Sequence, residues 1–209
     1  LYNNKAITSD ELLEIMAGSS SKVLRLEAFN TCRKIADANF AKAIILGLND
    51  DYELLQRLAA MYVGKNFSNE LLPAVVETYM DPTTSDRVAF QLKGNLKGFD
   101  AELLKAEFVK QNASAPYWEG EVAFGKLLKM IDNYEKDFVA ETSAIKDGSM
   151  SLKDQKSFAR ARRNGCEIKL IPSLVHMIET TNDAELKLTA IEALGWYMYS
   201  SAKADVIAQ

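Results

Sequence analysis

The chain has 209 residues, 48% of them hydrophobic, and carries 25 Lys and Arg against 29 Asp and Glu, a formal net charge of −4. That length allows about 70% of the unfolded surface to be buried, and the composition excludes disorder and low complexity. Two cysteines, Cys32 and Cys166, exclude a disulfide framework and a four-cysteine zinc site, and no apolar run approaches the ~18 residues that span a bilayer. The acidic balance removes the simplest reason to expect binding to nucleic acid or an anionic membrane.

Residue 1 is Leu, which reads as a processed terminus or a boundary and leaves the compartment unknown. The first stripe is Leu24-Arg25-Leu26-Glu27-Ala28-Phe29, and a second helix with its own apolar face spans Phe40 to Leu48. After the connector Asp50-Asp51, Leu55 to Gly64 repeats the theme with Ala59 at the small position. Asn69 to Met80 follows, with Pro73 near its start, then the turn Asp81-Pro82-Thr83-Thr84 and the stripe Arg87-Val88-Ala89-Phe90. Ala101 to Lys110 is the next second helix, and Glu121-Val122-Ala123-Phe124 repeats the Val-Ala-Phe core.

From Tyr117 to Asp147 the apolar positions run on without a strong breaker. Either one long helix or a pair turning near Asp132-Asn133 fits, closed by Gly148 as a C-terminal cap. A weaker stripe surrounds Ala159, and Glu167 to Glu179 carries Pro172 where Asn69 to Met80 carries Pro73. Asn182 with Glu185 predicts a capped helix start, followed by one face of Leu186, Ala190, Ile191 and Leu194. The last ten residues still read as helix. An apolar face beginning at Val206 and Ile207 lacks a continuation, which predicts a fragment of a longer protein or a terminus completed by a partner.

The small residues Ala28, Ala59, Ala89 and Ala123 are 31, 30 and 34 residues apart, and Ala159 fits spacings of 36 and 31 to Ala123 and Ala190. Nothing alternates with period two. Helix pairs at this period, each too thin to bury its own stripe, predict an all-α stack of about six antiparallel pairs over residues 1–209. The longer, irregular unit falls around 113–150. The words Asp183-Ala184-Glu185-Leu186-Lys187 and Ala190-Ile191-Glu192-Ala193-Leu194-Gly195 resemble the HEAT-repeat superfamily, and most closely its short phycobilisome-lyase-like repeats. That resemblance implies a right-handed α-solenoid used to bind other proteins, and it implies no chemistry and no cofactor.

Candidate sites are few. His176, the only histidine, lies among apolar neighbours inside a helix and reads as structural, which excludes a His-rich metal centre. Some relatives of the resembled family are iron hydroxylases built on His-Glu pairs, and this sequence contains none. Cys32 reads as a small core residue, and Cys166 as an inert residue after Asn164-Gly165.

The strongest charge feature is Lys153, Lys156, Arg160 and Arg163, one ridge of a helix within a segment (151–169) of six positive and two negative residues. Such a ridge suits phosphate groups or an acidic protein surface. Its bland reading is a solvated face neutralised by the acidic stretch from Glu119 to Glu141. Aromatics gather at Tyr117-Trp118 and at Trp196-Tyr197-Met198-Tyr199, where Trp196 is a candidate partner anchor. There is no Gly-rich phosphate loop and no metal or hydrolase motif.

The leading expectation is a non-enzymatic scaffold that presents a solenoid surface to a protein partner through Lys153, Lys156, Arg160, Arg163 and Trp196. Two alternatives are kept. One is a HEAT-fold enzyme resembling glycosylases of alkylated DNA bases, with Trp118, Trp196 and the Arg160/Arg163 ridge in its cleft. The other is a spacer or oligomerisation domain. The net charge of −4 argues against the first.

Overall fold

Side chains with a short polar arm start four of the described α-helices. Thr8 and Glu11 form a reciprocal capping box at α1 (Ser9–Gly18), and Ser21 accepts the Leu24 N–H at the start of α2 (Lys22–Ile35). Ser151 and Asp183 do the same for α9 (Leu152–Ala161) and α11 (Ala184–Tyr197). Between them run α3 (Phe40–Leu48), α4 (Glu53–Val63), α5 (Leu72–Met80), α6 (Asp86–Leu96), α7 (Ala101–Ser114), α8 (Glu121–Lys146) and α10 (Ile171–Thr180), with α12 (Lys203–Ile207) last. This computed structural model describes residues 7–114, 121–163, 167–198 and 203–208, and among them the chain is all-α with no strand.

Pro73 and Pro172 occupy the same place in two copies of one construction. A 3-10 turn (Asn69–Leu71 or Ile168–Leu170) runs straight into an α-helix whose second residue is the proline. There the missing N–H breaks no intrahelical bond and the fixed φ suits the first turn. The long segment before Asp147 is one helix of 26 residues, α8, and not a pair turning at Asp132-Asn133. Asp132 instead accepts a 2.9 Å hydrogen bond from Lys105 of α7. Gly148, at φ 75°, ends this segment in the left-handed region, as its position predicts.

The chain divides into two compact units. The first comprises Leu1–Val63 and Ser68–Leu92. In it α1 packs on α2 and α3, and α3 packs on α2, α4 and α5. Phe29, Phe40 and Tyr62 form a triangle of rings with centroids 5.6 to 6.1 Å apart. Where α3 crosses α4, Gly47 faces Ala59, and a Cβ on Gly47 would lie 2.8 Å from that of Ala59. The small position anticipated at Ala59 thus lets a neighbouring helix approach closely.

The second unit comprises Gly64–Phe67 and Lys93–Gln209. There α7 packs on α8, α8 on α10, and α11 on α9, α10 and α12. Its main core joins Ile145, Phe158, Leu170, Leu174, Leu186 and Tyr197, and Val206 of α12 packs against that cluster while Ile207 stays exposed. Within each unit, the principal packing partners are never more than two α-helices apart in the sequence.

Three apolar stripes, those of α2, α6 and α11, sit one step from their expected register, whereas that of α4 keeps Leu55 and Ala59 buried. In α2 the buried residues are Arg25, Ala28, Phe29 and Cys32, while Leu24 is exposed. In α6 they are Val88, Leu92 and Leu96; Ala89 is only half-buried and Phe90 is 78% exposed. In α11 they are Leu186, Thr189, Ala190, Ala193 and Tyr197, with Ile191 exposed. A cap at Asp183, not Asn182, starts that helix.

Arg25 is the reason for the first shift. It is only 8% exposed and donates two hydrogen bonds to the Asp50 carboxylate, at 2.6 and 2.8 Å, and a third to the Ser19 carbonyl at 2.8 Å. Asp51 also pairs with it. A buried guanidinium is tolerated because its fork is satisfied. The connector Asp50-Asp51 is thus an internal counterion as well as a turn, with Asp50 also accepting the Tyr52 N–H at 2.8 Å.

Candidate interaction surfaces

The basic ridge of α9 is occupied from within the chain. Lys156 lies 3.0 Å from Asp183 and 2.7 Å from Glu185, Arg160 pairs with Glu185, and Arg163 pairs with Glu192. All three acids belong to α11 or its cap, so the ridge clamps α9 to α11 rather than meeting the Glu119–Glu141 stretch. Among the described residues of that stretch, Glu141 alone takes part, 2.9 Å from Arg162. The hydrogen bonds Lys156 donates to Glu185 and Asp183 raise its pKa. The Leu186 N–H and Lys156 lower that of Asp183, and Lys156 lowers that of Glu185. Lys153 is exposed and has no carboxylate partner among the described residues.

Trp196 is 51% exposed on α11, whereas its neighbour Tyr197 is fully buried in the core. Trp118, Cys166 and Tyr199 lie outside the described residues. His176 is half-buried on α10, and its carbonyl accepts a 2.7 Å hydrogen bond from the Thr180 hydroxyl. Cys32 is buried, and burial pushes its thiol pKa up, which suits a packing role and not a nucleophile. Among the described residues no group of three or more His, Cys, Asp or Glu is placed to hold a metal ion, and no helix is long and apolar enough to cross a membrane.

Besides a gap of about 420 Å³ between α1 and α3, lined by Leu13, Glu14, Ala17, Lys42, Ile45 and Leu46, two concavities stand out among the described residues. A polar cleft of about 190 Å³ in the second unit gathers Lys97, Arg162 and Lys169 with Asp137, Glu141 and Glu167. Glu167 is 4% exposed and lies 3.9 Å from both Lys97 and Arg162. Burial pushes its pKa up against the pull of Arg162, Lys97 and Lys169. With acids and bases in matching number, the cleft is internally compensated and offers little to a charged ligand.

The other is a groove of about 660 Å³ in the first unit, between α4 and the N-terminal half of α6. Leu54, Arg57, Leu58 and Met61 line one wall, and Asp86, Arg87, Phe90 and Gln91 the other. Leu54, Met61 and Phe90 are all exposed. Arg57 and Arg87 are exposed too, and neither pairs with a carboxylate among the described residues. The sequence shows Phe90 as a member of an apolar stripe, while Leu54 precedes the stripe that begins at Leu55. The rotation of α6 turns Phe90 outward, and the burial of Leu55 and Ala59 leaves Leu54 on the outer face of α4.

The two helix–helix gaps differ in kind. Between α9 and α11 the cations Lys156, Arg160 and Arg163 are consumed by acids of α11 and its cap; between α4 and α6, Arg57 and Arg87 stand without a carboxylate partner among the described residues, beside uncovered apolar side chains. Compared with protein-family models, with curated proteins and with solved structures, the chain shows no match.

Proposed function

We propose that the chain is a HEAT-like α-solenoid acting as a non-enzymatic interaction module for a protein partner. Two features support the solenoid part. The proline-started second helices recur in one construction at Asn69–Met80 and Ile168–Thr180, and in both units the principal contacts join only near neighbours in sequence.

The observation that carries the functional part is the α4/α6 groove, where exposed Leu54, Met61 and Phe90 share one concavity with two unpaired arginines. Converging exposed apolar side chains rimmed by charge are what protein-binding surfaces present. The ridge of Lys156, Arg160 and Arg163 contributes by joining α9 to α11, which leaves Lys153 on α9 and Trp196 on α11 as the exposed candidate residues outside those ion pairs.

Chemical cross-linking of the tagged chain in native lysate, followed by mass spectrometry, tests the reading. The expected result is a protein joined saturably to the chain. Recovery of no protein above a tag-only control overturns it. Retardation of duplex DNA in a low-salt gel shift, with release of an alkylated base, replaces it with the enzyme alternative.

A further inference from the structure

We propose that the α4/α6 groove is a docking site for an acidic amphipathic helix of a partner protein. The inference rests on the interaction-module reading and names the partner chemistry of that same surface.

The lining of α4 follows the spacing i, i+3, i+4, i+7: Leu54, Arg57, Leu58, Met61. Seven residues of helix rise cover about 10 Å. That is two turns, the length over which an incoming helix presents apolar anchors at i, i+3 or i+4, and i+7. Phe90, 78% exposed, stands on the opposite wall as the largest uncovered apolar side chain of the groove.

Charge selects the kind of helix. The lining holds Arg57 and Arg87 against the single carboxylate Asp86, within a chain whose formal net charge is −4. Glu53, the nearest further acid on α4, accepts a 3.2 Å hydrogen bond from the Ser85 hydroxyl. One arginine stands on each wall, so carboxylates flanking the apolar anchors of a bound helix meet a guanidinium on either side. Such pairs are charge-assisted and can be bidentate. A basic or uncharged helix would leave both arginines beside covered apolar surface without a counterion, at a desolvation cost.

The test is selection of a random 16-residue peptide library displayed on phage against the immobilised full chain. Enriched peptides are then measured in solution by fluorescence anisotropy. Enriched clones are expected to be net acidic, with Leu, Phe or Met at helical spacing. Phe90→Ala should weaken the best peptide about tenfold to a hundredfold. Arg57→Glu combined with Arg87→Glu should weaken it at least tenfold and turn the selection towards basic clones. All three side chains are exposed, and far-UV circular dichroism with a melting curve checks that each variant folds as the parent does.

Enrichment of basic or uncharged clones overturns the proposal, as does no enrichment at all. Acidic clones whose binding ignores all three substitutions also overturn it, while leaving the interaction-module reading in place at another surface. Displacement of the peptide by a single-stranded 20-mer oligonucleotide makes the groove a nucleic-acid site. A dimer in light scattering that Phe90→Ala dissolves makes a second copy of the chain the occupant. Either result removes the acidic helix.

Discussion

The crossing of α3 over α4 gives the sharpest test of the packing argument. Gly47→Ala adds a methyl whose carbon would sit 2.8 Å from the Ala59 Cβ and 3.5 Å from two Phe29 ring carbons. The best carbon–carbon separation is about 3.5–4.0 Å, so the Phe29 contact is ordinary and the Ala59 contact is about 1 Å too short. Ala59 Cβ is fixed to its backbone, so the helices must move apart. Overpacking of this size costs ~1–3 kcal/mol, against a helix-propensity gain of at most ~1 kcal/mol. The expected net loss is about 1 kcal/mol, or roughly 2–4 °C in Tm for a chain of this size. In an Ala59→Gly background the obstructing methyl is gone, and Gly47→Ala should become neutral or stabilising. The coupling between the two sites should be about 1–2 kcal/mol. Urea unfolding of the four proteins, followed by circular dichroism, measures it. Additive effects, or a Gly47→Ala variant more stable than the parent, would refute the close crossing.

Three further expectations follow from described geometry. Ala36 ends α2 at φ 52°, so Ala36→Gly should stabilise by about 1 kcal/mol, and Gly148→Ala, at φ 75° with open space around it, should destabilise by a similar amount; thermal melts read both signs. At Asp50 burial opposes ionisation, but the hydrogen bonds from Arg25 and the Tyr52 N–H outweigh it and hold the pKa below the ordinary 3.8. A lowered folded pKa stabilises above the unfolded value, and that contribution is lost as pH falls through the folded one. Asp50→Asn should therefore be less stable than the parent at pH 7, with the gap narrowing below pH 3.8 in acid unfolding curves. Glu185→Lys should strip Lys156 and Arg160 of their shared acid and delay elution from heparin to higher salt, whereas equal elution of the two proteins would mean the ridge was never compensated.

Much of the fold was legible because its signals are local. Phe40–Leu48 appears at the bounds its apolar face implies, and Pro73 and Pro172 mark equivalent helix starts. Local signals say less about which face turns inward. At α2 a buried Arg25 takes a core position and pushes Leu24 out, because Asp50, 25 residues away, supplies its counterion. No window of sequence holds both. Phe90 misleads for the same reason: in Val88-Ala89-Phe90 it resembles core, and only the burial of Val88, Leu92 and Leu96 shows that the helix is rotated.

The candidate surfaces divide along the same line. Lys153, Lys156, Arg160 and Arg163 form a ridge that helical spacing reveals at once. Its neutralisation by Asp183, Glu185 and Glu192 depends on which helix lies beside α9. The α4/α6 groove is a property of the gap between two helices, so no motif announces it.

Principal packing between near neighbours also shapes how the chain reaches its native state. The main helix–helix contacts close only short stretches of chain, so the entropic barrier to folding stays low, and each unit should refold on the order of milliseconds or faster. During synthesis α1 can settle on α2 and α3 while α9 to α11 are still untranslated, which shortens the time that apolar faces stand uncovered in the cell.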